Sequence, residues 1–284
     1  MELIGARVPR GGNRATGALG DVIRYLVVLT MSASLLVGFS VASTQAQEEE
    51  SSEAGGGAAA SDPTSGVSYL DIKPRYFDLT DSNEELQTEL ETVYGISPSF
   101  TMKFELIGTR NNRTGSWETG LQELKLRPLF LHPIEPFGIK AKFGVGLEWF
   151  KDLGKTRKGT GKGTDEIAPL VGIGWIPTDK DFIVTLVQYF HSYDENDGVE
   201  EVRATGPRLI WIHGIQEING WGKADLRTRI DHEDDNDFTQ TLELQLGTMI
   251  SDTVGVFGET FVGDSVLDTN EYNWGAGVGL RILY

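Results

Sequence analysis

The sequence predicts an all-β chain, an antiparallel up-and-down transmembrane β-barrel of about twelve strands. Three observations carry this. Apolar and polar-or-small residues alternate with a period of two, segment after segment, from Ser68 to Tyr284. Most segments are close to the length that a tilted strand needs to cross a bilayer. Their connections alternate between compact turns and long polar loops.

The chain opens on a leader. Arg7, Arg10, Arg14 and Arg24 precede an apolar run, YLVVLTMSASLLVGFSVA (Tyr25–Ala42), and Thr44 and Ala46 hold the small-residue positions of a cleavage site. Residues 1–46 therefore read as a signal peptide cut at Ala46–Gln47, and the chain as exported. A retained anchor is the alternative, since the run is nearly long enough to span. Residues 47–67, acidic and then Gly/Ala/Ser-rich, read as a flexible tether, with too little apolar surface for a folded plug.

The strands are expected near 68–79, 86–94, 99–108, 117–127, 138–150, 166–176, 181–192, 203–213, 220–231, 237–248, 253–262 and 271–284, and together they make a barrel domain over 68–284. The compact connections are ISPS, the Pro-bearing LHPIEPF, PTDKD, HGIQEING and ISDT; the long ones include TRNNRTGS, KDLGKTRKGTGKGTDE, SYDENDGVEE and DHEDDND. Short turns on one side and long loops on the other suit a membrane barrel, and an even strand count returns the chain to its starting side. Leu209–His213 (LIWIH) is apolar on both faces, so its register stays open.

Composition narrows the partners. A net charge of −17 disfavours nucleic acid. The chain has no cysteine, so it can have no disulfide framework or thiolate metal site. Beyond the leader no stretch is apolar enough for a membrane helix, which leaves a closed barrel as the only way to span. No cofactor or metal is expected. GKTRKGTGKG (Gly154–Gly163) lacks phosphate-loop spacing, DENDG (Asp194–Gly198) lacks the geometry of a calcium loop, and the acidic loop at His232–Asp237 reads as solvated.

The last strand is the most specific segment. Tyr272, Trp274, Ala276, Val278, Leu280, Ile282 and Tyr284 share one register; Glu271, Asn273, Gly275, Gly277, Gly279, Arg281 and Leu283 share the other. Alternate apolar residues ending on a terminal aromatic resemble the C-terminal signature of bacterial outer-membrane β-barrel proteins. Ala276, Val278, Leu280, Ile282 and Tyr284 fit it position by position. The resemblance implies a place in the bacterial outer membrane, contact with its lipid and lipopolysaccharide, and recognition of this strand by the barrel-assembly machinery. Aromatics near strand ends (Tyr94, Trp117, Trp149, Trp175, Trp221, Trp274) suit interfacial girdles. In size and texture the chain is also similar to outer-membrane transporters of the MetA-pathway phenol-degradation type. That likeness implies passage of small aromatic or hydrophobic solutes.

The function expected is passive passage of small solutes, anionic or aromatic, with no catalysis. Polar alternates point into the lumen of such barrels. Lys223, Arg227 and Arg229 then share a wall with Asp225 and Asp231, and Lys140, Lys142 and Arg281 fall on the same inferred face. These six cations form either a track for anions or a network neutralised by Asp225, Glu243, Glu105 and Glu148. The basic loop 151–163 and the acidic loops 194–201 and 231–237 are expected to meet at the outer face and partly lid the pore. Two alternatives remain. A lipase- or deacylase-type barrel enzyme would need a histidine base, from His132, His191, His213 or His232, beside a serine, yet His191 and Ser192 point to opposite faces. A soluble periplasmic ligand-binding barrel would turn its apolar face inward.

The lipid-facing reading of the last strand is testable. Replacing Leu280 and Ile282 together by Asp should sharply lower the amount of folded protein in the membrane fraction, each charge costing about 0–4 kcal/mol according to depth. Normal membrane levels of that variant would contradict it.

Overall fold

The computed structural model describes residues 66–79, 82–196, 198–233, 238–263 and 272–284, with Phe238 described by its backbone alone. The segment 1–46 read as a signal peptide and most of the segment 47–67 read as a tether lie outside the described residues. Twelve strands follow one another: β1 (Tyr69–Leu79), β2 (Glu84–Ser97), β3 (Phe100–Asn111), β4 (Glu118–Ile134), β5 (Lys140–Asp152), β6 (Thr164–Ile176), β7 (Asp181–Glu195), β8 (Arg203–Ile215), β9 (Gly220–Asp231), β10 (Phe238–Met249), β11 (Val254–Gly263) and β12 (Tyr272–Leu283). Each pairs antiparallel with its sequence neighbours, and β12 returns to β1, with Tyr69 opposite Leu283 and Ile72 opposite Leu280. The sheet is a closed barrel, so no strand edge is left unpaired.

Both strand termini sit at one end, with the short turns; this is the terminal end, and the opposite one is the loop end. The turn expected at LHPIEPF is shorter than its prolines suggest. Strand β4 runs through Pro133 to Ile134, and the chain reverses only at Pro136–Gly138, where Phe137 takes a positive φ of 59°.

The barrel is inside out relative to a soluble one. Its outer face exposes Phe130, Val145, Leu147, Val171, Val187, Leu209, Trp211, Leu244, Leu246, Val262, Trp274 and Val278. Its inner face buries Asp71, Lys73, Glu89, Glu105, Glu148, Asp225, Glu243 and Arg281. An apolar band of this extent around a polar interior matches hydrocarbon outside and water inside. Ala276, Val278, Leu280, Ile282 and Tyr284 all lie on the outer face.

Three apolar segments differ from expectation, although the period of two itself breaks only at Tyr272. Trp221, expected in a girdle, is fully buried inside and donates its indole N–H to Gln245 at 2.8 Å. Tyr272 also turns inward, onto Phe77, because the β1–β12 register shifts between Asp78 and Leu79. In LIWIH, Leu209 and Trp211 face out while Ile210 and Ile212 pack inside against Phe182. The inner wall is therefore not polar throughout. Its terminal half is apolar across β6–β8, where packing between inward neighbours replaces hydration.

Glycines make the inner wall possible. At Gly279 a Cβ would lie 2.0 Å from the Phe257 ring; at Gly247, 2.3 Å from Trp221; at Gly275, 2.4 Å from Phe77. Each inward aromatic lies flat across a glycine of the adjacent strand, filling the space that a side chain would otherwise claim. Gly279→Ala should therefore weaken the barrel by about 1–3 kcal/mol through overpacking. Gly258→Ala, where a Cβ meets nothing within 4 Å, should stay within about 0.5 kcal/mol. Urea unfolding followed by the electrophoretic shift of the unboiled protein compares the two.

Candidate functional site

The lumen holds a cavity of about 430 Å³ girdled by charge. Every strand except β7 contributes a charged residue to this belt, because its inward alternates there are long polar side chains. The belt begins at the closure seam. Arg281 on β12 forms a two-pronged pair with Asp71 on β1, at 2.8 and 2.6 Å, under the rings of Tyr69, Trp221 and Phe257. Next to it, Lys73 reaches Glu89 at 2.5 Å and Glu91 at 2.6 Å. Arg75 bridges Glu89 on one side and, across β12, Glu259 on the other at 2.5 Å. That crossing passes over Gly277, where a Cβ would meet Arg75 and Glu259 at 2.9 and 2.8 Å.

The chain of pairs continues through β3–β5. Lys103 joins Glu91 to Glu105, Lys125 joins Glu105 to Glu123, and Arg127 meets Glu148 at 2.5 Å. Gln188 on β7 also donates to Glu148, at 2.7 Å. On β8–β10, Arg208 grips Asp225 through two hydrogen bonds of 2.7 and 2.5 Å. Arg227 meets Asp225 at 2.9 Å and Glu243 at 2.7 Å, while Lys223 meets Glu243 at 2.6 Å. Arg229 faces Glu166 at 3.7 Å. Glu89, Glu91 and Glu105 bring carboxylate oxygens close enough for a cation, and the ammonium groups of Lys73 and Lys103 already occupy that role.

The pairs are unequal in exposure. The carboxylates lie deep against the wall: Asp225 is 0% exposed, Glu243 5% and Glu166 4%, whereas Arg227 is 46% and Arg229 33% exposed. Lys103, Lys125 and Arg127 are likewise more exposed than their partners. A belt close to neutral in formal charge thus shows its cations to the cavity. Longer side chains reach past shorter ones, and the buried carboxylates hold their roots in place.

The six cations singled out in the sequence occupy different situations. Lys223, Arg227, Arg229 and Arg281 border the main cavity, though the head of Arg281 is enclosed by rings. Lys142 borders a smaller apolar niche towards the terminal end, and Lys140 is exposed at that end. The alternation could not reveal Lys73, Arg75, Lys103, Lys125, Arg127 and Arg208 as members of one belt, because their meeting depends on closure and stagger.

At the loop end the 153–163 loop folds back over the mouth. Asn111, fully buried, donates to the Gly159 carbonyl at 2.8 Å; Thr160 is buried against Gly120; Lys162 reaches the inward Glu123 at 3.2 Å. Lys158 pairs with Glu118 at 2.8 Å. The basic segment 151–163 therefore pairs with β4 carboxylates and, through Lys151, with Asp165 on β6. Its contacts with the 194–201 segment are uncharged, from Asn196 to Gly163 and Thr156. Residues 234–237 lie outside the described residues.

The histidines stand apart from one another. His191 faces out, 3.9 Å from Glu201, while Ser192 faces in and accepts from the Val202 amide at 2.8 Å. His213 meets Asp181 at 2.9 Å, His232 meets Thr205 at 2.8 Å, and His132 is exposed at the terminal end. Among the described residues no serine hydroxyl is hydrogen-bonded to His132, His191 or His213.

No protein-family model and no curated protein matches the chain. Solved structures do match in fold. The NanC porin aligns with a TM-score of 0.59 at 10% identity, covering 75% of this chain and 98% of that one. An outer membrane channel from Pseudomonas putida F1 aligns at 0.57 and 10% identity, covering 77% and 94%. The KdgM porin aligns at 0.50 and 6% identity, covering 76% and 99%. At such identities the likeness is one of fold: a closed barrel of the outer-membrane porin kind.

The belt's stability should depend on its buried anions. Asp225→Asn, which leaves Arg208 and Arg227 facing a neutral group, should destabilise the barrel by about 3 kcal/mol or more. Arg229→Gln, at an exposed and longer pair, should cost about 1 kcal/mol or less. Urea midpoints of the two folded variants in detergent check the contrast.

Proposed function

We propose that this chain is a diffusion channel of the bacterial outer membrane, passing small solutes with a preference for anions. One observation carries the reading. The lumen is a water-compatible cavity inside a lipid-compatible barrel, and the charges presented to it are predominantly cationic. A ring of basic side chains around a pore lowers the barrier to anions and raises it for cations. Fixed guanidinium groups also pair with carboxylates in a planar, two-pronged geometry. On this reading the terminal end faces the periplasm and the loop end the exterior. The in-folded 153–163 loop narrows the entrance, and its Lys155, Arg157, Lys158 and Lys162 extend the basic surface outward. The porin-like fold supports the assignment. The terminal strand, with its outward Ala276, Val278, Leu280, Ile282 and Tyr284, serves as the signal to the assembly machinery.

Planar-bilayer recording of the purified chain tests this. A potassium chloride gradient should give a reversal potential of the sign expected for chloride preference. Arg227→Gln with Arg229→Gln should move it towards zero, and Arg227→Glu with Arg229→Glu should carry it further. An unchanged reversal potential in folded variants would leave those arginines a purely structural part.

A further inference from the structure

The charged belt does not extend over the terminal half of the lumen. Between β4 and β8 the inward positions there are apolar except for Lys142 at the niche's border, and Leu129, Leu131, Leu170, Val184, Leu186 and Ile210 enclose a niche of about 80 Å³. Gly144, Gly172 and Gly174 give it depth, since no side chain rises from those positions. Water gains little from such walls.

Its edge is different in kind. Lys103, Arg127 and Arg208 border both the niche and the main cavity, so the two spaces meet at a row of cations. Arg208 is committed to Asp225 through both prongs. Arg127 is not. Its Nη2 donates to Glu148, while its Nε is buried and meets no acceptor among the described residues. A buried donor without a partner is costly to maintain, and an acceptor brought to that edge relieves the cost after a small side-chain adjustment.

We propose that the niche and its cationic edge form a binding station for a small amphipathic anion, a monocarboxylate carrying one ring or a short branched hydrocarbon body. The inference rests on the channel reading and narrows it. The carboxylate lies against Arg127 and Lys103, and the hydrocarbon enters between Leu129 and Leu186. Size sets the class. Sites for whole drug-sized ligands occupy about 300–1,000 Å³, so this niche takes a single ring or branch and leaves the head in the larger cavity. A purely polar anion meets the cations without gaining from the niche, and a neutral ring gains from the niche alone. Both features together favour the amphipathic anion over either.

The test uses the full chain folded in detergent, with binding read by displacement of fluorescent 2-naphthoate. Benzoate should compete about tenfold more strongly than acetate or benzyl alcohol. Leu186→Asn combined with Val184→Thr should remove most of benzoate's advantage over acetate, and the near-isosteric Val184→Thr alone should reduce it if the double variant does not fold. Arg127→Gln should weaken benzoate more than benzyl alcohol. Equal competition by benzoate and acetate, or an advantage that survives a polar niche, overturns the proposal. Chloride conductance of the same preparation judges the channel reading separately. A conducting barrel indifferent to the ring removes the niche and keeps the channel; a barrel that binds benzoate but does not conduct keeps the niche and removes the channel.

Discussion

The pairing of charge inside a closed sheet is the constraint on which this structure depends. A barrel whose outside must suit lipid has no other face for its long polar residues, so they crowd into one narrow interior. There an unpaired ion is expensive, and the solution is a nearly continuous chain of pairs from Arg281–Asp71 through Lys73, Lys103 and Lys125. The same network closes the barrel. Arg281 and Asp71 belong to the last and first strands, so their two hydrogen bonds span the seam where the chain's ends meet.

Space is the second constraint, and glycine resolves it. The inner surface of a barrel is concave, so side chains from neighbouring strands converge. Placing Gly247, Gly275 and Gly279 beside Trp221, Phe77 and Phe257 lets the rings lie along the wall instead of across the pore. Gly277 does the same for an ion pair, clearing the path from Arg75 to Glu259. Without these gaps the aromatics would be driven into the volume that a solute needs.

From these constraints comes the surface that a solute meets. Short carboxylates sit at the wall and long cationic side chains extend beyond them, so charge balance and an electropositive lumen coexist. Towards the terminal end the belt gives way to Phe182, Ile210 and Ile212, and the wall changes from hydrated to apolar. In the channel proposed, a solute moving along the barrel would pass from a charged wall to an apolar one. The 153–163 loop is held at the loop end by Asn111 and Glu123.

The amino-acid sequence by itself determined the strands, their order and the face each presents over most of its length. Alternation is local: Lys223, Asp225, Arg227 and Arg229 lie on one side wherever the strand is placed. It also made the last strand legible, with Val278 and Leu280 outward and Arg281 inward. Tertiary structure decided what alternation cannot encode. Trp221 shares the inward register of Lys223 and Asp225, and Gly247 on the adjacent strand makes room for its ring; Tyr272 turned inward through a register shift that the periodicity of its own strand does not show. LIWIH acquired a register only when Phe182 offered Ile210 and Ile212 an apolar neighbour. The partner of each cation was likewise undetermined until closure: Arg75 reaches Glu259, Gln188 reaches Glu148 and Lys162 reaches Glu123. Strand faces follow from the geometry of a single pleat, whereas ion pairs and niches follow from the stagger of twelve strands around a common axis.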